Sequence, residues 1–323
     1  MNAPQHAPAF TLLPEQPPHL PSAPTQGWAH CHCCTGLARP QRRHFSALLG
    51  LGAASAICPA LAEPGSQEGV NVGKQSALTR LVPAEQLEAA AAQQYRTMLQ
   101  EAAQQRALAP AGEPQLQRLR YIAERIIPVA LPWNPRAKQW RWEVNLLGSP
   151  QLNAFCMPGG KIAFYSGILV KLQLSDDEVA TIMGHEVAHA LREHARERMA
   201  KTTATRVGAN VISGLLGLGS LGDTLLSYGS QLLTLTFSRE DESEADLVGL
   251  ELSARAGYDP AAGVSLWKKM GAVNKGAPPQ WLSTHPSGPS RIKDIEANLG
   301  KVQGLYERAD KPQRRWGPPE AKR

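Results

Sequence analysis

Apolar positions past residue 80 fall into two alternating periods. An Ala/Gln/Glu-rich run over residues 83–108 predicts a helix opened by Pro83, since proline is tolerated in a first turn. Leu116, Leu119, Ile122 and Ile126 predict a second helix over residues 114–127, ended by Pro128. From 139 to 169 the period shortens to two. Trp140, Trp142, Val144 and Leu146 alternate with polar residues, and Pro158-Gly159-Gly160 joins two further short runs, which predicts antiparallel strands with a tight Gly-Gly turn. An edge of that sheet can align an extended peptide by backbone pairing; plain sheet core fits the periodicity equally well.

Helical spacing returns with Val179, Ile182, Met183, Ala190 and Leu191, predicting a helix from Ser175 to about Met199. Ser175 and Glu178 have capping-box spacing, and Leu174 and Val179 can staple the same end. Residues 207–237 are apolar and Gly-rich, interrupted by Asp223, with charge-free stretches too short to span a bilayer. They read as two short helices or a lid over a cleft. A helix over residues 238–256 stops at Gly257, with Pro260 beyond, and another covers 289–299. The pattern is that of an α+β chain, mostly helical, with a small antiparallel sheet beside the helix begun at Ser175.

Composition adds organisation. With 323 residues and 42% hydrophobic content there is material for one good-sized core. The charge of +6 is spread thinly, without a basic stripe interleaved with aromatics, so nucleic acid is not an expected partner. Peripheral contact with anionic lipid stays open. Arg42-Arg43, an apolar stretch to Ile57 and Ala60-Leu61-Ala62 form an export signal with cleavage expected after Ala62. Its Arg-Arg-x-Phe order fits the twin-arginine route, and a Sec signal also starts with basic residues; Cys58 as a lipidated residue is disfavoured by Ile57 before it. The expected organisation is a leader and signal (1–62), a linker (63–82), a catalytic domain (83–305) and a disordered tail (306–323), in the periplasm. Cys156 would be the one cysteine left after cleavage, so no internal disulfide is expected. The crowded run His30-Cys31-His32-Cys33-Cys34 lacks the spacing of a structural zinc site.

The candidate chemistry lies in Gly184-His185-Glu186-Val187-Ala188-His189. Two histidines four apart on a helix turn their imidazoles the same way, as ligands of one ion must, and Glu186 projects beside them. A catalytic zinc needs a third protein ligand. His194, five residues after His189, is expected to turn away from the metal face. The acidic run over residues 238–246 offers Glu242 and Asp246 one turn apart, so that one carboxylate can ligate while the other orients a histidine; a solvated acidic face is the plain alternative. Zinc, one per chain, would then support hydrolysis with Glu186 as general base and proton donor.

Four motifs in order, 153–160, 184–189, 242–246 and Ser283-Thr284-His285-Pro286, resemble those of the HtpX/CAAX-prenyl-protease family of zinc metallopeptidases, most closely its exported soluble branch. The resemblance covers residues 116–299. It implies a gluzincin-type domain with His185, His189 and Glu242 as metal ligands and Asp246 as support for a ligand. His285 is then the candidate donor to a developing oxyanion, or a gating fourth ligand, with Arg291 supporting it. Tyr258 is expected to pack at a helix end. A tetratricopeptide-repeat region after the catalytic domain, present in one protease of that branch, is not expected here. The implied function is an exported endopeptidase acting on misfolded or misassembled envelope polypeptides. A scaffold or chaperone with a structural zinc, and a non-proteolytic metallohydrolase, are the competing readings.

Overall fold

A computed structural model describes residues 68–211, 232, 235–273, 280–285 and 289–319. The expected leader, signal and most of the Gly-rich 207–237 segment lie outside these residues. Helices α1 (Ala84–Gln104) and α2 (Pro114–Ala130) precede strands β1 (Glu143–Leu147), β2 (Ala154–Met157) and β3 (Lys161–Tyr165). Helices α3 (Ser166–Lys171), α4 (Asp176–Leu191), α5 (His194–Val211), α6 (Arg239–Arg255), α7 (Ala262–Val273), α8 (Gln280–Thr284) and α9 (Pro289–Arg308) follow. None of the described helices is long and apolar enough to cross a membrane.

The α+β, mostly helical expectation holds, with one difference in the sheet. Its order is β1-β3-β2: β2 and β3 form the expected antiparallel hairpin through Gly159 and Gly160, both at positive φ, but β1 runs parallel to β3. Alternation fixes which face of a strand is buried and says nothing about its neighbour or direction. Pro128 does not end α2 either, because in the last turn it forgoes a single intrahelical bond and the helix runs on to Ala130.

Helix α4 is the axis of the core. Ser175 caps it as predicted, accepting from Glu178 N–H while the Glu178 carboxylate accepts from Ser175 N–H. Val179, Ile182, Met183, Val187 and Leu191 are wholly buried against α2, α6, α7 and β2. Instead of continuing to Met199, α4 stops at Leu191, where Glu193 adopts φ +59°. That conformation is costly for a side chain bearing Cβ. It is held by Glu193 N–H donating to Ala190 C=O, by Glu193 C=O accepting from Glu197 N–H, and by a Glu193–Arg196 ion pair. Helix α5 starts again at once.

Helix α6 crosses α4 at Gly184 and Gly249. A Cβ on Gly249 would lie 2.7 Å from His185 N, and one on Gly184 2.8 Å from Gly249 C=O. With both side chains absent the two backbones touch, and Ser253 Oγ donates to Ala180 C=O beside the crossing.

In the flanking segments, residues 68–82 and 306–319 pack onto the domain, unlike the expected linker and tail. The strap over residues 68–76 is tied down by Gly69 N–H to Lys301 C=O, by Val70 N–H to Glu251, and by Gln75 Nε2 to Leu191 C=O at the end of α4. Beyond α9, Trp316 packs on Tyr121, Trp316 N–H donates to Asp176, and Arg315 pairs with Asp177. Positive and donor groups thus meet the acidic first turn of α4, whose Asp176 also takes Arg118. The prolines and arginines of this tail suggested disorder; its aromatic and cationic groups instead find partners on α2 and α4.

Gly249→Ala is expected to destabilise the protein by about 1–3 kcal/mol in urea unfolding, because backbone cannot yield as a side chain does. Gly271→Ala, where an added Cβ meets nothing within 4 Å among the described residues, serves as the control and is expected to cost nothing.

Candidate active site

The predicted ligands converge. His185 and His189, one turn apart on α4, bring their Nε2 atoms to 3.1 Å, and Glu242 on α6 lies 3.6 Å from His185 Nε2 and 3.5 Å from His189 Nε2. Together with His285, after α8, each of these residues offers one ligating atom within 4.8 Å of the others, and all four are buried. Two of the buried atoms here, Glu242 Oε1 and His285 Nε2, have no hydrogen-bond partner among the described residues. Unpaired polar atoms in a buried site are costly unless a ligand satisfies them. Two imidazole nitrogens and a carboxylate are the donor set of a catalytic zinc, so the residues present fit that ion.

The remaining groups hold these donors in place. His185 Nδ1 lies 3.0 Å from Asp246 Oδ1. Arg291, from α9, donates through Nε and Nη2 to Asp246 and through Nη1 to Glu242, each at 2.6 Å. Its guanidinium also lies over Trp267 at 3.8 Å. Arg291 therefore braces the two carboxylates. Burial pushes Glu242 above the ordinary carboxylate range, against the pull of His285, His185 and Arg291. Burial also raises Asp246, but Arg291 and His185 outweigh it and hold its carboxyl below the usual value.

Glu186 lies beside the convergence point. Trp281 Nε1–H donates to its Oε1 at 2.7 Å, while Oε2 faces His285 Nε2 at 3.6 Å. Trp281 in turn stacks on His285 with centroids 4.9 Å apart. Burial raises Glu186, yet His285, His185 and the indole N–H leave it below the ordinary glutamate value. Burial lowers His285, and Glu186 and Glu242 more than reverse this, so its pKa is raised. His189 is held well below the ordinary imidazole value by burial and by the neighbouring His185, His194 and His285, which keeps it neutral.

His194 stands outside the group of possible ligands, as expected, but it is not the surface residue that its five-residue spacing suggested. On a continuous helix it would point about 140° away from His189, but the break at Glu193 returns it. It is buried, with Nδ1 2.9 Å from His189 Nδ1 and Nε2 3.1 Å from Glu244. The roles of Trp281 and Glu244 and the Gly184–Gly249 crossing were missed from sequence. Of these, a glycine inside the otherwise helical 238–256 run was the one visible signal. Tyr258 packs as expected, buried behind the end of α6.

A cleft of about 490 Å³ runs past Glu186, His189, His285 and Phe237 along residues 153–158. One side is β2, the outer strand of the described sheet, so the strand beside the histidines is an edge and not a covered centre. An extended peptide laid along it would pass Glu186, His189 and His285.

Comparison with known proteins agrees with this geometry. Residues 115–299 match the family described as Peptidase family M48. The chain is 40% identical over 159 residues to the mitochondrial metalloendopeptidase OMA1 of Arabidopsis thaliana, covering 49% of this chain and 32% of that one. It is 29% identical over 196 residues to the metalloprotease LoiP of Escherichia coli (59% and 73% covered), and 28% identical over 170 residues to the beta-barrel assembly-enhancing protease of Yersinia pestis (49% and 34%). The chain spans half or less of the length of the OMA1 relatives it matches.

Arg291→Met is expected to lower the stability of the zinc-free protein by about 3–5 kcal/mol, since it strands two buried carboxylates. For Asp246, whose pKa is lowered by folding, the stabilisation is full above the unfolded carboxylate value and is lost as pH falls through the lower folded value. Acid unfolding of Asp246→Asn should lack that part of the pH dependence.

Proposed function

This chain belongs to peptidase family M48, and from that membership we propose that it is a zinc-dependent endopeptidase cutting misfolded or misassembled polypeptides of the bacterial envelope. The observation that carries the reading is the convergence of His185, His189 and Glu242 beside Glu186 and an edge strand. Bound zinc supplies Lewis acidity, polarising a carbonyl and making water acidic near neutral pH.

The protein's own groups perform the rest. His185, His189 and Glu242 hold the ion, and Asp246 with Arg291 fixes two of them. Glu186, ionised and anchored at Oε1 by Trp281, keeps Oε2 toward the cleft, where it takes a proton from the attacking water and returns it to the leaving amine. His285 Nε2 points into the same space and serves as donor to the developing oxyanion or as a fourth ligand before substrate arrives. The β2 edge receives the substrate backbone in extended form, which favours unfolded chains over folded ones.

The compartment rests on the leader over residues 1–62, which supports export to the periplasm, with peripheral attachment to either membrane compatible with the basic termini. Names of the relatives divide between mitochondrial and bacterial proteases, and one is named for β-barrel assembly. Envelope polypeptides are the substrates that suit the export signal and the open strand edge together. Residues 68–82 of the linker and 306–319 of the tail are then parts of the folded domain and not spacers.

Digestion of an unfolded polypeptide by the chain starting at residue 63, with zinc content measured in parallel, tests this. Wild type should cut it and stop when a chelator removes zinc. Glu186→Gln should lose at least about 100-fold in rate while retaining zinc near one per chain. Full cellular function of that variant would point to a scaffold, and cleavage restricted to small amides would point to a different hydrolase.

A further inference from the structure

Each ligating imidazole of this site needs an acceptor behind it. A histidine that offers Nε2 to an ion carries its hydrogen on Nδ1, and buried N–H groups are costly without a partner. For His185 the acceptor is Asp246, itself bonded to Arg291. Among the described residues, no carboxylate lies at His189 Nδ1. The atom there is His194 Nδ1, 2.9 Å away.

From this geometry we propose that His194, backed by Glu244 and Arg192, is the positioning residue that fixes the orientation and tautomer of His189 for metal binding. The hydrogens are then determined along the chain. His189 Nδ1–H donates to His194 Nδ1, so the His194 hydrogen sits on Nε2 and is given to Glu244 Oε2 at 3.1 Å. The other Glu244 oxygen pairs with Arg192 at 2.5 Å, and Arg192 also donates to Gly73 C=O of the strap. Both metal-binding imidazoles thus end on a carboxylate braced by an arginine, one directly and one through a second imidazole.

The backbone is shaped for this purpose. Arg192 and His194 flank Glu193, the residue in the left-handed conformation, and without that break His194 would face away. Glu244 comes from α6, two residues past Glu242, so the crossing that delivers the third ligand delivers the end of the relay as well. His194 is 1% exposed, so water has little access to replace it.

The inference rests on His189 binding zinc. Zinc affinity, read by competition with a chromogenic chelator on the chain starting at residue 63, tests it apart from proteolysis. His194→Phe keeps ring volume and removes both nitrogens; it should weaken zinc binding about 10- to 100-fold and shift the visible bands of the cobalt-substituted protein. His194→Asn places an amide oxygen near the Nδ1 position and should recover most of the loss. Glu244→Gln should weaken zinc in the wild-type background and add little in His194→Phe, as expected for links of one chain. Should His194→Phe misfold, the Asn and Gln variants decide: affinity within twofold of wild type in Glu244→Gln, together with no difference between His194→Asn and His194→Ala, overturns the proposal. Unchanged affinity in a folded His194→Phe does the same. Absence of zinc from the wild type would instead overturn the zinc reading itself.

Discussion

Contact between two helix backbones, with no side chain at either Gly184 or Gly249, is the constraint on which the rest of the molecule depends. Helix α4 supplies two imidazoles and the Glu186 carboxylate, but a third donor must come from another element, and a carboxylate side chain is short. The crossing brings α6 close enough for Glu242 to reach both histidines without extending the chain away from either helix. It also brings Asp246 to His185, and Glu244 to His194, the imidazole behind His189.

Such closeness has an electrostatic cost. Three carboxylates, Glu186, Glu242 and Asp246, are withdrawn from water within one small volume, and isolated buried charge is expensive. Cationic and donor groups drawn from distant parts of the sequence compensate. Arg291 comes from α9, and Trp281 and His285 come from the short α8 region. Glu186 and Asp246 end below their ordinary values and Glu242 above its own, so the same burial acts on all three and the partners decide the sign.

The parts of this arrangement governed by local rules were legible in the sequence. The capping box at Ser175, the four-residue spacing of His185 and His189 and the Gly159-Gly160 turn each depend on residues a few positions apart. Glu242 and Asp246 were found because their one-turn spacing mirrors that of the histidines, with the family resemblance deciding which of them ligates. His194 was misjudged because spacing arguments assume an unbroken helix, and a left-handed glutamate leaves no compositional trace. The parallel partner of β1 was misjudged because alternation carries no information on neighbours. Trp281 as the anchor of Glu186 was invisible: a tryptophan 95 positions away announces its indole N–H only when the chain has folded.

Wiring of the strap to the far end of α4 bears on where this domain begins. Gln75 donates to Leu191 C=O and Gly73 C=O accepts from Arg192, so residues ahead of the first long helix secure the stretch on which His189 and His194 sit. A fragment trimmed to start at α1, as helix boundaries alone would recommend, would keep every histidine and carboxylate of the site. It would nonetheless surrender the outer wall against which the metal-binding turn is fastened.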